Sequence, residues 1–113
     1  IDPYYYLIDD FDLIVASFQT QYGIRLSKDL KGMKWDEFKA LLCGISPETP
    51  LGRIVSIRAE DDKEVLKHFT KEQRRIRSEW RNKSAKKVSK EEMAAVLEQL
   101  KQGFIAMAGG AEN

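Results

Sequence analysis

Thr49-Pro50-Leu51-Gly52 stands near the middle of the 113-residue chain and sets a corner there. A Thr side chain accepts an amide hydrogen bond at a helix N-cap. Pro suits the first helical position because the amide it lacks would have no partner there. The spacing therefore predicts a helix from Pro50, with Leu51, Ile54, Val55 and the stem of Arg58 on one face. Ahead of the corner, Trp35, Phe38, Leu41, Leu42 and Ile45 mark one face of an earlier helix, which Gly44 and Pro47 close. Both faces turn toward one core, and the stretch 33–80 is organised about this joint.

The flanking segments read the same way. Phe11, Ile14, Val15, Phe18 and Tyr22 form an amphipathic stripe, opened by Asp9 and Asp10 and ended by Gly23. Before it, residues 1–8 carry Tyr4, Tyr5 and Tyr6 in a row and read as an extended segment or a strand. Residues 24–32 form a connector, with Leu26 and Leu30 open to forming one short turn. Asp61 or Asp62 caps a helix bearing Val65, Leu66 and Phe69. Thr70-Lys71-Glu72-Gln73 matches a capping box, so the chain either restarts there or runs through, with Ile76 and Trp80 continuing the stripe. Ser89-Lys90-Glu91-Glu92 is a second box, opening a C-terminal helix over 89–108. Gly103 weakens that helix, and Gly109-Gly110 stop it, leaving 109–113 as a frayed tail. The expected fold is all-α: a single domain over 1–113, built as a compact bundle of about five to six helices.

Composition narrows the function classes. Apolar residues make up 42% of the chain, enough for one modest core, while 33% charged residues leave a strongly charged surface. The net charge of +1 argues against a general affinity for nucleic acid or anionic membranes. A lone cysteine forms no internal disulfide, which favours an intracellular setting. No apolar run approaches the ~20 residues that span a bilayer, and no signal-peptide pattern is visible. The chain does not open on Met, so the sequence leaves open whether the true N-terminus is present.

No constellation points to catalysis. His68 is the only histidine and has neither a nucleophile nor further ligands in its pattern, so a surface or half-buried helix position is expected. Cys43 lacks a basic neighbour to lower its pKa and reads as a small buried apolar residue. Asp9, Asp10 and Asp12 lack the glycine turn and terminal glutamate of a calcium loop. Glu91 and Glu92 serve a helix start, and no glycine-rich phosphate loop is present. The sequence therefore predicts no enzyme activity, no metal and no cofactor.

Charge and apolar patterning say more. Residues 63–90 hold eleven Lys or Arg against three Glu, a local net of +8, and the remainder sums to −7. Arg74, Arg77 and Arg81 share one helical face with Arg75 beside it. Such a stripe contacts phosphates, stays solvated, or docks the acidic part of a neighbouring copy. Without an aromatic platform or a DNA-binding motif, a nucleic-acid module using 71–90 ranks second. On the last helix, Met93, Leu97, Leu100, Phe104 and Met107 step by four, three, four and three. That seam is either intramolecular core or an adaptable apolar surface for a partner.

The pattern of Phe11-Asp12-Leu13-Ile14 through Ser17-Phe18, Tyr22-Gly23-Ile24-Arg25, Met33-Lys34-Trp35 with Glu37-Phe38, and Leu41-Leu42 with Gly44 resembles a known family. Thr49-Pro50-Leu51-Gly52, Ile57-Arg58, and Glu72-Gln73 with Arg77 and Trp80 complete the likeness, which spans roughly residues 6–85. It is similar to the phage gene-product-fifteen family, small proteins of tailed phages of Gram-positive bacteria and of their prophages. The resemblance implies a non-enzymatic, helical protein encoded between the tail-tube and tape-measure proteins and similar to tail assembly chaperones. Such a protein associates with itself in spirals and coats the apolar tape-measure protein in the host cytoplasm before the tube polymerises. The family's pattern carries no binding residues over to this chain, and 86–113 lies outside it.

Overall fold

The computed structural model describes residues 3–83 and 90–112, and the side chains of 3–83 and 92–104. Among these residues, seven α-helices and one 3-10 turn follow one another: α1 Phe11–Tyr22, α2 Leu26–Asp29, the 3-10 turn Leu30–Gly32, α3 Trp35–Cys43, α4 Pro50–Ala59, α5 Lys63–Lys67, α6 Lys71–Asn82 and α7 Lys90–Glu112. The described residues contain no strand. The all-α expectation holds; the helix expected after Asp61 or Asp62 forms as the short α5, capped by Asp62.

The corner forms as its sequence requires. Thr49 is the N-cap of α4, its Oγ1 accepting the Gly52 amide at 3.0 Å and donating to the Ser46 carbonyl at 2.7 Å. Pro50 has no amide to satisfy. The Leu51 amide finds a partner in another helix: Ser17 of α1, fully buried, accepts it at 2.9 Å and donates its own proton to the Leu13 carbonyl. Gln21 holds the other side, donating to the Gly44 carbonyl and accepting from the Ser46 amide, each at 2.7 Å. Gly52 is required here, because a Cβ would lie 2.1 Å from the Ser46 carbonyl oxygen. Thus the first amides of α4 are satisfied partly by α1, and the corner locks these two helices together.

The main core lies among α1, the α2–3-10 segment, α3 and α7. Ile14, Phe18, Leu26, Leu30 and Phe38 are fully buried, joined by Leu7, Phe11, Met33, Leu42, Leu51 and Leu97. Phe18 stacks on Phe38 with ring centroids 5.3 Å apart, and Tyr22 meets Phe18 edge-on. Trp35, Leu41, Ile45, Val15 and Val55 pack half-buried around them. Gly23, with φ +70°, ends α1 as a left-handed cap and sends the chain back into α2.

Several expectations need correction. The connector over 24–32 carries two short helical turns rather than one, α2 and the 3-10 turn, and Leu26 and Leu30 are fully buried core residues. Cys43 is exposed, lying one helical step, about 100°, around from the inward-facing Leu42. Residues 1–8 form no strand among those described: Leu7 enters the core, and a turn over 7–10 leads into α1. Helix α5 buries none of its residues and leaves Val65 exposed, since five residues are too few to reach the core from the outer layer. Ile54 faces α6 rather than the core around Phe38. The chain does restart at Thr70, through the full reciprocal capping box with Gln73. Helix α7 runs past Gly109 and Gly110 to Glu112, since glycine tolerates helical backbone at a cost of about 1 kcal/mol each. The capping box read at Ser89 lies outside the described residues. The molecule measures 54 × 28 × 23 Å, and α6 packs on α4 outside the main core.

Candidate functional site

The basic stripe of α6 completes other helices. Arg77 donates from Nε to the Glu60 carbonyl at 2.8 Å and from Nη2 to Asp61 Oδ1 at 3.4 Å. Arg81 reaches the same Asp61 oxygen at 3.0 Å and the Arg58 carbonyl at 3.3 Å. The carbonyls of residues 58–60 are the orphan acceptors at the C-terminus of α4, where helix polarity favours a cation. Arg74 performs a similar task for α5, donating to the Lys67 carbonyl at 3.4 Å. Arg75 lies between Glu72 and Glu79 and bonds both. That pairing lowers the Glu72 carboxyl below its usual range and raises the already high Arg75 guanidinium. Arg77 and Arg81 meet a carboxylate as well as carbonyls, whereas Arg74 meets a carbonyl alone.

Arg58 was legible in the sequence only as an apolar stem, yet it centres a cluster beneath α6. Its Nη1 and Nη2 hold both oxygens of Asp10 at 2.8 and 3.1 Å, and Nη1 also donates to the Tyr4 carbonyl at 3.0 Å. Its guanidinium lies 4.5 Å from the centre of the buried Trp80 ring. Tyr6 packs on the same indole at 4.5 Å. Asp10 is the residue before α1, but its carboxylate does not cap that helix; it accepts the Tyr6 amide and Arg58 instead. Tyr4 takes φ +61°, a strained value for a non-glycine residue, with Arg58 holding its carbonyl. This cluster fastens the N-terminal segment, α4 and α6 to one another.

Beside it, a groove of about 320 Å³ opens over Leu13, Ile54, Ile76 and Trp80, with Glu72, Arg75, Glu79 and Lys83 at its rim. The rim charges already face one another: Arg75 bonds both glutamates, and Lys83 stands 3.9 Å from Asp9. Among the described residues no cluster of His, Cys, Asp or Glu could hold a metal ion, and His68 is exposed. No helix among the described residues is long and apolar enough to cross a membrane.

The apolar seam of α7 lies against the core of its own chain. Leu97 is 2% exposed, and Met93, Leu100 and Phe104 are half-buried beside it. Phe104 meets Phe11 with ring centroids 6.0 Å apart, and Lys101 Nζ donates to the Met33 carbonyl. The seam is therefore intramolecular in this structure, the first of the two alternatives its spacing left open. Met107 continues the helix, and its side chain lies outside the described ones.

No curated protein and no solved structure matches this chain. A family model, Bacteriophage Gp15 protein, matches residues 2–85. That match takes in the corner, the Arg58 cluster and the whole of α6, and it ends before α7. Covering most of the sequence, it shows that the chain belongs to the bacteriophage Gp15 protein family.

Proposed function

We propose that this protein is a non-enzymatic assembly chaperone for phage tails, which self-associates and shields the tape-measure protein while the tail is built. The family match over residues 2–85 carries the reading, because membership points to phage structure or morphogenesis. The physical features are consistent with it. The described residues form helices and no strand, and the arginines of α6 serve the ends of neighbouring helices. A long helical client would aggregate through bare apolar stripes. Shielding it calls for surfaces that bind copies and client, not for a nucleophile or cofactor.

Setting matters for both partners. Self-association brings the exposed basic residues of α5 and the start of α6 against acidic surface of the next copy. The half-buried edges of Met93, Leu100 and Phe104 offer adaptable apolar contact to the client. The nucleic-acid reading loses ground, since Arg77 and Arg81 are engaged at the end of α4. Co-expression with the neighbouring tape-measure protein tests the proposal: the client's soluble yield should rise when this chain is present. Equal yields with and without it would remove the chaperone function.

A further inference from the structure

We propose that α7 is an exchangeable element, and that the shelf it lies on receives α7 of a second copy. The shelf is built from Phe11 at the start of α1 and from Leu30 and Met33 around the 3-10 turn. What holds α7 there is independent of chain connection: burial of Leu97, the Phe104–Phe11 ring contact and the Lys101 bond to the Met33 carbonyl. Another copy presents the same side chains at the same spacing, so its α7 fits the shelf equally well.

The covalent tie between the two pieces is slight. Residues 84–89 read Ser-Ala-Lys-Lys-Val-Ser, a polar stretch with a single large apolar residue. Six residues reach at most about 20 Å, so exchange would need the second copy's shelf within that span of the end of α6. The family match ends within this stretch, so the shelf lies inside the matched unit and its cover outside it. Undocking α7 bares two apolar surfaces that are complementary to each other, one on the helix and one on the body. Copies that exchange helices rebury both, which makes exchange a low-cost route to closed pairs or open chains. A short tether holds a segment near its own site at an effective concentration on the order of millimolar. An isolated chain therefore keeps its own helix, and exchange takes over where copies are crowded to a similar local concentration.

This inference takes its setting, crowded copies, from the self-association proposed above, but its test needs no client. Two full-length variants separate the pieces: Leu97→Asp spoils the helix and leaves the shelf, and Met33→Glu spoils the shelf and leaves the helix. When they are mixed, the intact helix of one should dock on the intact shelf of the other. The two spoiled faces repel, so assembly should stop at a one-to-one pair. Light scattering after size exclusion should show that pair in the mixture and not in either variant alone. The mixture's melting midpoint should exceed that of either component by about 4 °C or more. Should a charged variant lose its helical circular dichroism, Leu97→Ala and Met33→Ala replace the two. Folded variants that stay separate on mixing would overturn the inference, leaving the shelf to its own helix or to a helix of another protein. Equal pairing of either variant with itself would also overturn it, by placing the contact elsewhere.

Discussion

Arg58 grips both carboxylate oxygens of Asp10 across 48 positions of sequence, at 2.8 and 3.1 Å, with its guanidinium over Trp80. The two side chains retain only 15% and 8% exposure, so solvent screens the pair weakly. Removing one partner strands the other in a poorly solvated place, and such losses cost about 3–5 kcal/mol. Asp10→Asn should therefore destabilise the protein by about 3 kcal/mol in urea unfolding, the lower end because some exposure remains. Arg58→Lys should lose a similar amount, since a lysine cannot make the paired contact and stack together. A change under about 0.5 kcal/mol, the usual range for surface substitutions, would show that the cluster does not hold the N-terminal segment.

The corner gives a graded set of outcomes. Thr49→Ala removes an N-cap and should cost about 1–2 kcal/mol. Ser17→Ala leaves the buried Leu51 amide without an acceptor and should cost about 1–3 kcal/mol. Gly52→Ala should be the most damaging, because its Cβ would meet backbone rather than a yielding side chain. Thermal unfolding of the three variants checks the order; a neutral Gly52→Ala would refute the close approach of residues 46 and 52.

What the sequence revealed and what it hid follow one physical line. The corner was legible because its parts are adjacent: Thr49 caps an amide three residues away, and Pro50 acts on its own backbone. The Thr70–Gln73 box was legible for the same reason. Ser17 and Arg58 were not, because their partners lie 34 and 48 residues away and nothing in local periodicity marks them. A serine amid the apolar stripe of α1, on a buried face, was the one available hint. The arginine stripe was visible as charge, but its use at the end of α4 depends on how α4 and α6 are packed. Likewise the seam of α7 was plain, whereas spacing alone does not distinguish a core face from a partner face.

The N-terminal aromatic run gives a pH response. Burial, and next the neighbouring Cys43 thiol, push the Tyr5 phenol above its ordinary value of 10.0. The folded chain thus keeps a proton that the unfolded chain releases first. Stability from this group is full below about pH 10 and falls as pH rises from there through the raised folded value. Tyr5→Phe should flatten the decline of unfolding free energy over that alkaline range. An unchanged slope in the variant would show that other groups govern alkaline unfolding.

Duplex DNA should bind weakly at physiological salt. Arg77 and Arg81 are committed to Glu60 and Asp61, and phosphate contact would have to break those bonds. Replacing Arg74, Arg77 and Arg81 together by Ala should therefore lower thermal stability while changing DNA affinity little. Tight binding that collapses steeply with salt, and disappears in the triple variant, would instead support a nucleic-acid module.

The self-association proposed above should depend on salt in a way that helix exchange does not. Lys63, Lys67, Lys71 and Arg74 stay exposed along α5 and the start of α6, while Asp36, Glu37 and Glu48 stay exposed near α3 and the corner. Patches of opposite sign on separate elements favour contact between unlike faces of successive copies. Screening shortens from about 30 Å at 0.01 M salt to about 3 Å at 1 M, so such a contact weakens over that range. Sedimentation velocity should show larger species at low salt and smaller ones at high salt. Lys63, Lys67 and Lys71 changed together to Glu should abolish the low-salt species, and so should Asp36 and Glu37 changed to Lys. Mixing those two variants should restore them, because each again offers the other an opposite charge. Assemblies of unchanged size from low to high salt, insensitive to both sets of substitutions, would remove the charged contact and leave apolar exchange of α7 as the remaining route between copies.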